Sequence, residues 1–210
     1  MKIKAVLFDM DGVLIEAKDW HYEALNHALC QFGMEITREQ HLSTYDGLPT
    51  KRKLELLSEQ YYIPKKLRPL INDLKQEYTF DEVEKKCFPV YQHEYLLARL
   101  KQEGYQIAVC SNSIRRSIEY MMEKSHLMPH LDLILSNEDV KKNKPDPEIY
   151  QTAMQRFGVR PEECLILEDN VNGIRAAQAS GGHLLQIGTV WDVSYKNVRN
   201  RIREIEEGEA

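Results

Sequence analysis

The sequence predicts an α/β protein: a parallel sheet with flanking helices, interrupted near its start by an inserted block of helices. Three observations predict it. A short apolar run, Ile3 and then Ala5-Val6-Leu7-Phe8, comes first and stops on Asp9-Met10-Asp11-Gly12. Residues 16–86 then show helical periodicity and no convincing buried strand. From residue 87 strands alternate with helices, the order that builds a parallel sheet through right-handed crossovers. The expected units are a core of residues 1–15 and 87–210 and a helical insertion over residues 16–86.

The first run is a short stretch of strand formers bounded by a turn signal, which reads as a strand buried on both faces. In the insertion, Asp19 is placed to cap a helix whose stripe is Trp20, Ala24, Leu25, Ala28 and Leu29, ending at Gly33. Thr37 and Gln40 have capping-box spacing and open a second helix. Asp46-Gly47-Leu48-Pro49 is a turn, residues 53–60 resume helical periodicity, and Pro64 separates them from a longer polar helix over 65–86.

Past Phe88-Pro89, a helix through Tyr95, Leu96, Leu97 and Leu100 stops at Gly104. Strands are expected at residues 106–110, 131–135, 164–167 and 183–187. Helices are expected around 114–124, from Asp146-Pro147 to Gly158, and after Asn170 to about Ser180. Asp146 reads as the N-cap and Pro147 as the first helical residue. The charged tail from Asp192 reads as one exposed helix.

The bulk composition narrows the function. The chain has 210 residues, 42% of them hydrophobic and 29% charged, so an ordinary globule can bury a core. Net charge is −5, against the basic face of most nucleic-acid binders. No stretch approaches the roughly 20 apolar residues of a membrane helix, and the apolar start lacks a signal peptide's middle region. Cys30, Cys87, Cys110 and Cys164 are far apart and suit neither a disulfide framework nor a zinc site. These features predict a cytoplasmic protein with neither nucleic acid nor membrane as partner; a small-molecule partner and a monomer or weak dimer are expected, though nothing in the composition decides the oligomeric state.

Polar residues at the strand ends carry the chemistry. Asp9 and Asp11 end the first strand, Ser111 and Asn112 the second, and Glu168 and Asp169 the fourth; Lys141, Lys142 and Lys144 follow the third. In an open α/β sheet this edge is where ligands bind. Two carboxylates about 4 Å apart repel by roughly 4 kcal/mol at an effective dielectric near 20. A hard divalent cation such as Mg²⁺, which takes one or two carboxylates plus substrate phosphate oxygens, removes that penalty. Each feature alone has a bland reading: Ser111-Asn112 as a helix start, Lys144 as a solvated charge, Glu168-Asp169-Asn170 as a cap. Four successive elements delivering such groups to one edge point instead to phosphoryl transfer, which needs a nucleophile, charge neutralisation and donors to the phosphoryl oxygens. Asp9 supplies an already ionised nucleophile, Ser111 a hydroxyl, Lys144 a positive charge, and Asp11 an acid–base group.

These residues make the chain resemble the haloacid dehalogenase superfamily, most closely its β-phosphoglucomutase-like and phosphoglycolate phosphatase-like branch. The motifs are Asp9-Met10-Asp11-Gly12-Val13, Ser111-Asn112, Lys144-Pro145-Asp146-Pro147 and Glu168-Asp169, followed by Asn170-Val171-Asn172-Gly173-Ile174-Arg175. The resemblance implies a Rossmann-like core with sheet order 5-4-1-2-3 and a helical cap. It implies Mg²⁺ held by Asp9, the backbone oxygen of Asp11, and Asp169, with Glu168 close by, and an aspartyl-phosphate on Asp9. The acid at Asp11 argues against dehalogenation. His21 and Lys75 fall roughly where capped mutases touch a sugar phosphate, and Arg52 and Asn112 are further candidates for substrate contact. The displaced basic residues of the turn Tyr45–Arg52, with Ala17 and Phe88-Pro89-Val90, favour a Mg²⁺-dependent phosphatase over a β-phosphoglucomutase-like mutase.

Overall fold

Strand β1 (Ala5–Phe8) has no polar residue and no solvent exposure, and it lies at the centre of a five-stranded parallel sheet. The computed structural model describes residues 2–208. β2 (Gln106–Cys110) and β4 (Cys164–Glu168) flank β1, with β3 (Leu133–Leu135) and β5 (His183–Gln186) at the edges, giving the order β3-β2-β1-β4-β5. The order implied by the resemblance is therefore the observed one. Phe8 pairs with Val109 on one side and Leu167 on the other, so the residues that follow each strand emerge level with one another.

Alternation along the strands covers both faces. Ala5, Leu7, Ala108, Cys110, Cys164 and Ile166 pack against Ile149, Tyr150, Ala153 and Met154 of α7 (Glu148–Phe157) and Ala176 and Ala177 of α8 (Val171–Ser180). Val6, Phe8, Ile107, Val109, Leu165 and Leu167 alternate with them and are equally buried. Helix α5 (Tyr91–Gln102) packs against β2, α6 (Arg115–Lys124) against β3, and α9 (Tyr195–Glu207) against α5 and β5.

The chain divides into two units: residues up to Glu16 with those from Phe88 onward, and Ala17–Cys87. The second unit is helical, with α1 (Lys18–Cys30), α2 (Arg38–Gln40) continuing into a π-helical turn at His41–Tyr45, α3 (Thr50–Tyr61) and α4 (Arg68–Lys86). Leu25, Leu29, Ile36, Tyr45, Leu54, Leu57 and Ile71 form its core. The Thr37–Gln40 capping box is present, with the Gln40 N–H donating to Thr37 Oγ1 at 3.1 Å and the Thr37 N–H to Gln40 Oε1 at 2.8 Å. No helix among the described residues is long and apolar enough to cross a membrane.

Several element boundaries differ from expectation, each for a local reason. Asp19 sits in the first turn of α1, not at its cap, and pairs with Arg38 at 2.7 Å. Helix α7 begins at Glu148, and Pro147 is the residue before it; Asp146 Oδ1 still accepts the Glu148 N–H at 3.1 Å. A short 3₁₀ turn, Lys65–Leu67, precedes α4. β3 is three residues long because the Asp132 carboxylate takes the Ile107 N–H at 2.9 Å. The tail helix is not simply exposed: Ser194 caps α9, and Val198, Ile202 and Ile205 are buried along one side.

Candidate active site at the strand ends

Everything in this site belongs to the sheet unit. Asp9 leaves β1 and the chain turns back at once, with Gly12 at φ +88°, a region glycine enters without a Cβ penalty. The Gly12 N–H bonds Ile15 O at 2.7 Å and the Leu14 N–H bonds Met10 O at 2.9 Å, which closes the turn. Asp9 is 7% exposed, so its carboxylate needs a partner.

That partner is Lys144, itself 5% exposed. Its ammonium donates to Asp9 Oδ1 at 2.7 Å, Glu168 Oε1 at 2.6 Å and the Cys110 carbonyl at 2.8 Å. Three donors meet three acceptors, one from the end of each of β1, β2 and β4, so the lysine is fixed as a tripod. Glu168 is fixed in turn. Its Oε1 also accepts from the Tyr150 hydroxyl at 2.5 Å, and its Oε2 from the Asp169 N–H at 3.1 Å. The Tyr150 ring lies 4.8 Å from the Lys144 ammonium. On the remaining side is Gly173 of α8, where a Cβ would lie 1.9–2.2 Å from the Glu168 carboxyl group.

Asp9, Glu168 and Asp169 each offer a carboxylate oxygen, and these lie within 4.8 Å of one another. Asp11 is not part of that set through its carboxylate, which instead accepts from the Ser113 hydroxyl at 3.2 Å. Three carboxylates against one ammonium leave buried negative charge, and the donors are all oxygen. That chemistry fits a hard divalent cation such as Mg²⁺. Burial first, and then Glu168, raise the Asp9 pKa well above the usual carboxylate value, while Lys144 opposes the rise. For Lys144 burial acts downward, but Asp9 and Glu168 outweigh it and hold the ammonium charged. Burial pushes the Cys110 thiol up to about 12, so it is inert beside these charges.

The loop after β2 is stitched to the lysine. Asn112 Oδ1 accepts the Lys144 N–H at 3.1 Å and its Nδ2 donates to Lys144 O at 3.3 Å. Asn112, expected as a substrate contact, thus holds the backbone that carries Lys144. Ser111 is buried, and its Oγ accepts the Ser113 N–H at 3.1 Å. The expected residues Asp9, Lys144, Glu168 and Asp169 are brought together. Tyr150 and Ser113 carry no mark in the sequence, and Gly173, though part of the motif after Asp169, shows its role only here: nothing in a sequence marks a core tyrosine's hydroxyl or the notch that a helical glycine leaves.

The other expected residues lie in the helical unit. His21 Nδ1 is 3.2 Å from the buried Lys75 ammonium. Arg52 is exposed and pairs with Glu55 at 3.0 Å. In the same unit His41 and Lys53, which no motif in the sequence marks, are both buried; burial and Lys53 lower the His41 pKa to about 4.

Comparison with known proteins bears on this geometry. Residues 6–187 match the family model described as haloacid dehalogenase-like hydrolase. A phosphorylated carbohydrates phosphatase of Thermotoga maritima is 26% identical, over 97% of this chain and all of that protein. A pyrophosphatase, PpaX, of Bacillus cereus is 28% identical over 86% of this chain and 81% of its own length. Among solved structures, a β-phosphoglucomutase from Clostridium difficile superposes with a TM-score of 0.84 at 21% identity, covering 98% of this chain and 99% of its own. That last likeness is one of fold.

Proposed function

The chain belongs to the haloacid dehalogenase-like hydrolases, and from that premise we propose that it is a Mg²⁺-dependent phosphatase. Its substrate is a small phosphorylated metabolite, and the reaction runs through an aspartyl-phosphate on Asp9. The observation that carries the reading is the Lys144 tripod, which aims a buried carboxylate and a fixed positive charge at the same strand edge.

A carboxylate oxygen of Asp9 forms a bond to phosphorus as the ester oxygen departs, and Asp11 gives that oxygen its proton. Asp11 then takes a proton from water, whose oxygen attacks phosphorus. The bond between the Asp9 oxygen and phosphorus breaks, releasing phosphate and restoring the Asp9 carboxylate and the protonated Asp11 acid. Lys144 holds Asp9 in one orientation, and Ser111 offers a hydroxyl toward the phosphoryl oxygens. A bound Mg²⁺, held by Asp9, Asp169 and their neighbours Glu168 and Asp11, would neutralise charge between carboxylate and phosphate. The names of the Thermotoga maritima and Bacillus cereus relatives support hydrolysis of a phosphorylated carbohydrate or similar small phosphate.

The test is phosphate release from a panel of small phosphorylated metabolites with Mg²⁺, for the native chain and Asp9→Asn. Release that requires Mg²⁺ and vanishes in Asp9→Asn is expected; release that survives Asp9→Asn overturns the mechanism. A second reading is a sugar-phosphate mutase: within the helical unit the Lys75 ammonium lies 3.2 Å from His21 Nδ1, a cationic group of the kind that binds a phosphate. Isomer formation from a hexose 1-phosphate with a bisphosphate primer, without net phosphate release, would select it.

A further inference from the structure

Tyr150 is fully buried on the face of α7 that packs under the sheet, where its ring has ordinary core neighbours such as Ala153 and Met154. Its hydroxyl does not. It donates at 2.5 Å to Glu168 Oε1, the atom that Lys144 also binds at 2.6 Å. We propose that Tyr150 is a positioning residue of the reaction: it locks the Glu168 carboxylate, and through it sets where the Lys144 ammonium and the metal-binding oxygens stand relative to Asp9. The proposal rests on the phosphatase reading and adds to it a residue that touches neither substrate nor metal.

The geometry gives the reason. The last torsion of a glutamate is soft, so a carboxylate is oriented by its donors and not by its own rotamer. Here donors reach Glu168 from three elements: Lys144 from the loop before α7, Tyr150 from α7, and the Asp169 N–H at the end of β4. Gly173 leaves the notch that the carboxyl group occupies. Without the hydroxyl, Oε1 keeps a single donor and can turn toward Lys144. The ammonium would then follow Glu168 at the expense of its 2.7 Å contact with Asp9. Outer partners of this kind are typically worth about 10- to 100-fold in metal affinity or activity.

Tyr150→Phe isolates the effect, because it keeps the ring beneath Lys144 and removes only the oxygen. Two measurements decide: Mg²⁺ titrated calorimetrically into substrate-free protein, and kcat and KM on the best substrate of the panel. Expected are a Mg²⁺ Kd and a kcat each worse by about 10-fold, KM within about 2-fold, and a melting temperature near the native one. Unchanged Mg²⁺ affinity and kcat would overturn the proposal while leaving the phosphatase reading intact. So would a variant whose activity falls only in step with lost folding, which would reduce Tyr150 to a core residue. If the native chain hydrolyses nothing, the phosphatase reading fails separately, and the Mg²⁺ affinity still decides whether Tyr150 orders the acidic set.

Discussion

Replacing Lys144 by methionine keeps much of the side chain's volume and removes the charge that holds Asp9 and Glu168 together. The contacts are 2.7 and 2.6 Å, between side chains 4%, 10% and 1% exposed. At an effective dielectric near 20 each contact has a gross Coulomb attraction of about 6 kcal/mol, most of it offset by desolvation. What the substitution leaves is two buried carboxylates facing each other, and removing one partner of such a pair costs about 3–5 kcal/mol. For a chain of this size that lowers the melting temperature by roughly 6–20 °C.

The loss has a pH signature. Burial and Glu168 already raise the Asp9 pKa while Lys144 restrains it, so its removal raises the value further. A carboxyl whose folded pKa exceeds its unfolded one binds an extra proton in the folded state. Its penalty is therefore full above the folded pKa and is relieved as the pH falls through it. Urea denaturation of native and Lys144→Met protein at pH 7.5 and 5.5, with chelator present, should show a gap that narrows at the lower pH. A gap below about 1 kcal/mol at pH 7.5, or one that widens on acidification, would refute the account of the tripod as a compensated buried charge cluster.

Three further predictions concern other parts of the molecule. Gly173→Ala would ordinarily favour a helix by up to about 1 kcal/mol, but here the new Cβ meets the Glu168 carboxyl group at 1.9–2.2 Å. The expected result is a protein less stable by about 1–3 kcal/mol with weakened Mg²⁺-dependent turnover; a raised melting temperature would contradict it. His41, with its pKa lowered to about 4 chiefly by burial, must stay neutral in the fold, so stability is lost as the pH falls from 6.5 towards 4. The loss reaches at most about 3 kcal/mol, and native and His41→Asn proteins with identical pH slopes would rule it out. Ile202→Ala in α9 should cost about 2–4 kcal/mol in urea denaturation; a loss under about 1 kcal/mol would mean that the buried side of α9 contributes little.

Parts of this were readable in the residues because local chemistry decides them. β1 and β2 fall where expected because each is a run of strand formers cut off by polar residues. Asp9, Lys144, Glu168 and Asp169 stood out because charge at the mouth of an apolar strand demands a partner. Other features depend on partners far along the chain and leave no local mark. Asn112 looks like a helix start, yet its amide clasps the backbone of Lys144. Tyr150 sits in an apolar helical stripe, so it reads as packing, and only the third dimension places its hydroxyl on Glu168. In α9 the apolar residues Val198, Ile202 and Ile205 are diluted by charge, which hid a buried side with helical spacing.

The register of β1 also governs the order in which this protein can be made. Phe8 pairs with Val109 and Leu167, residues synthesised roughly 100 and 160 positions later. At about 5–20 residues per second, an apolar strand waits roughly 5–20 s for its first neighbour and longer for its second. The helical segment Ala17–Cys87 is contiguous and carries its own apolar cluster, so it can close during that interval. The strand that delivers Asp9 leaves the ribosome ahead of both its sheet neighbours, so its two edges stay unpaired until those neighbours emerge.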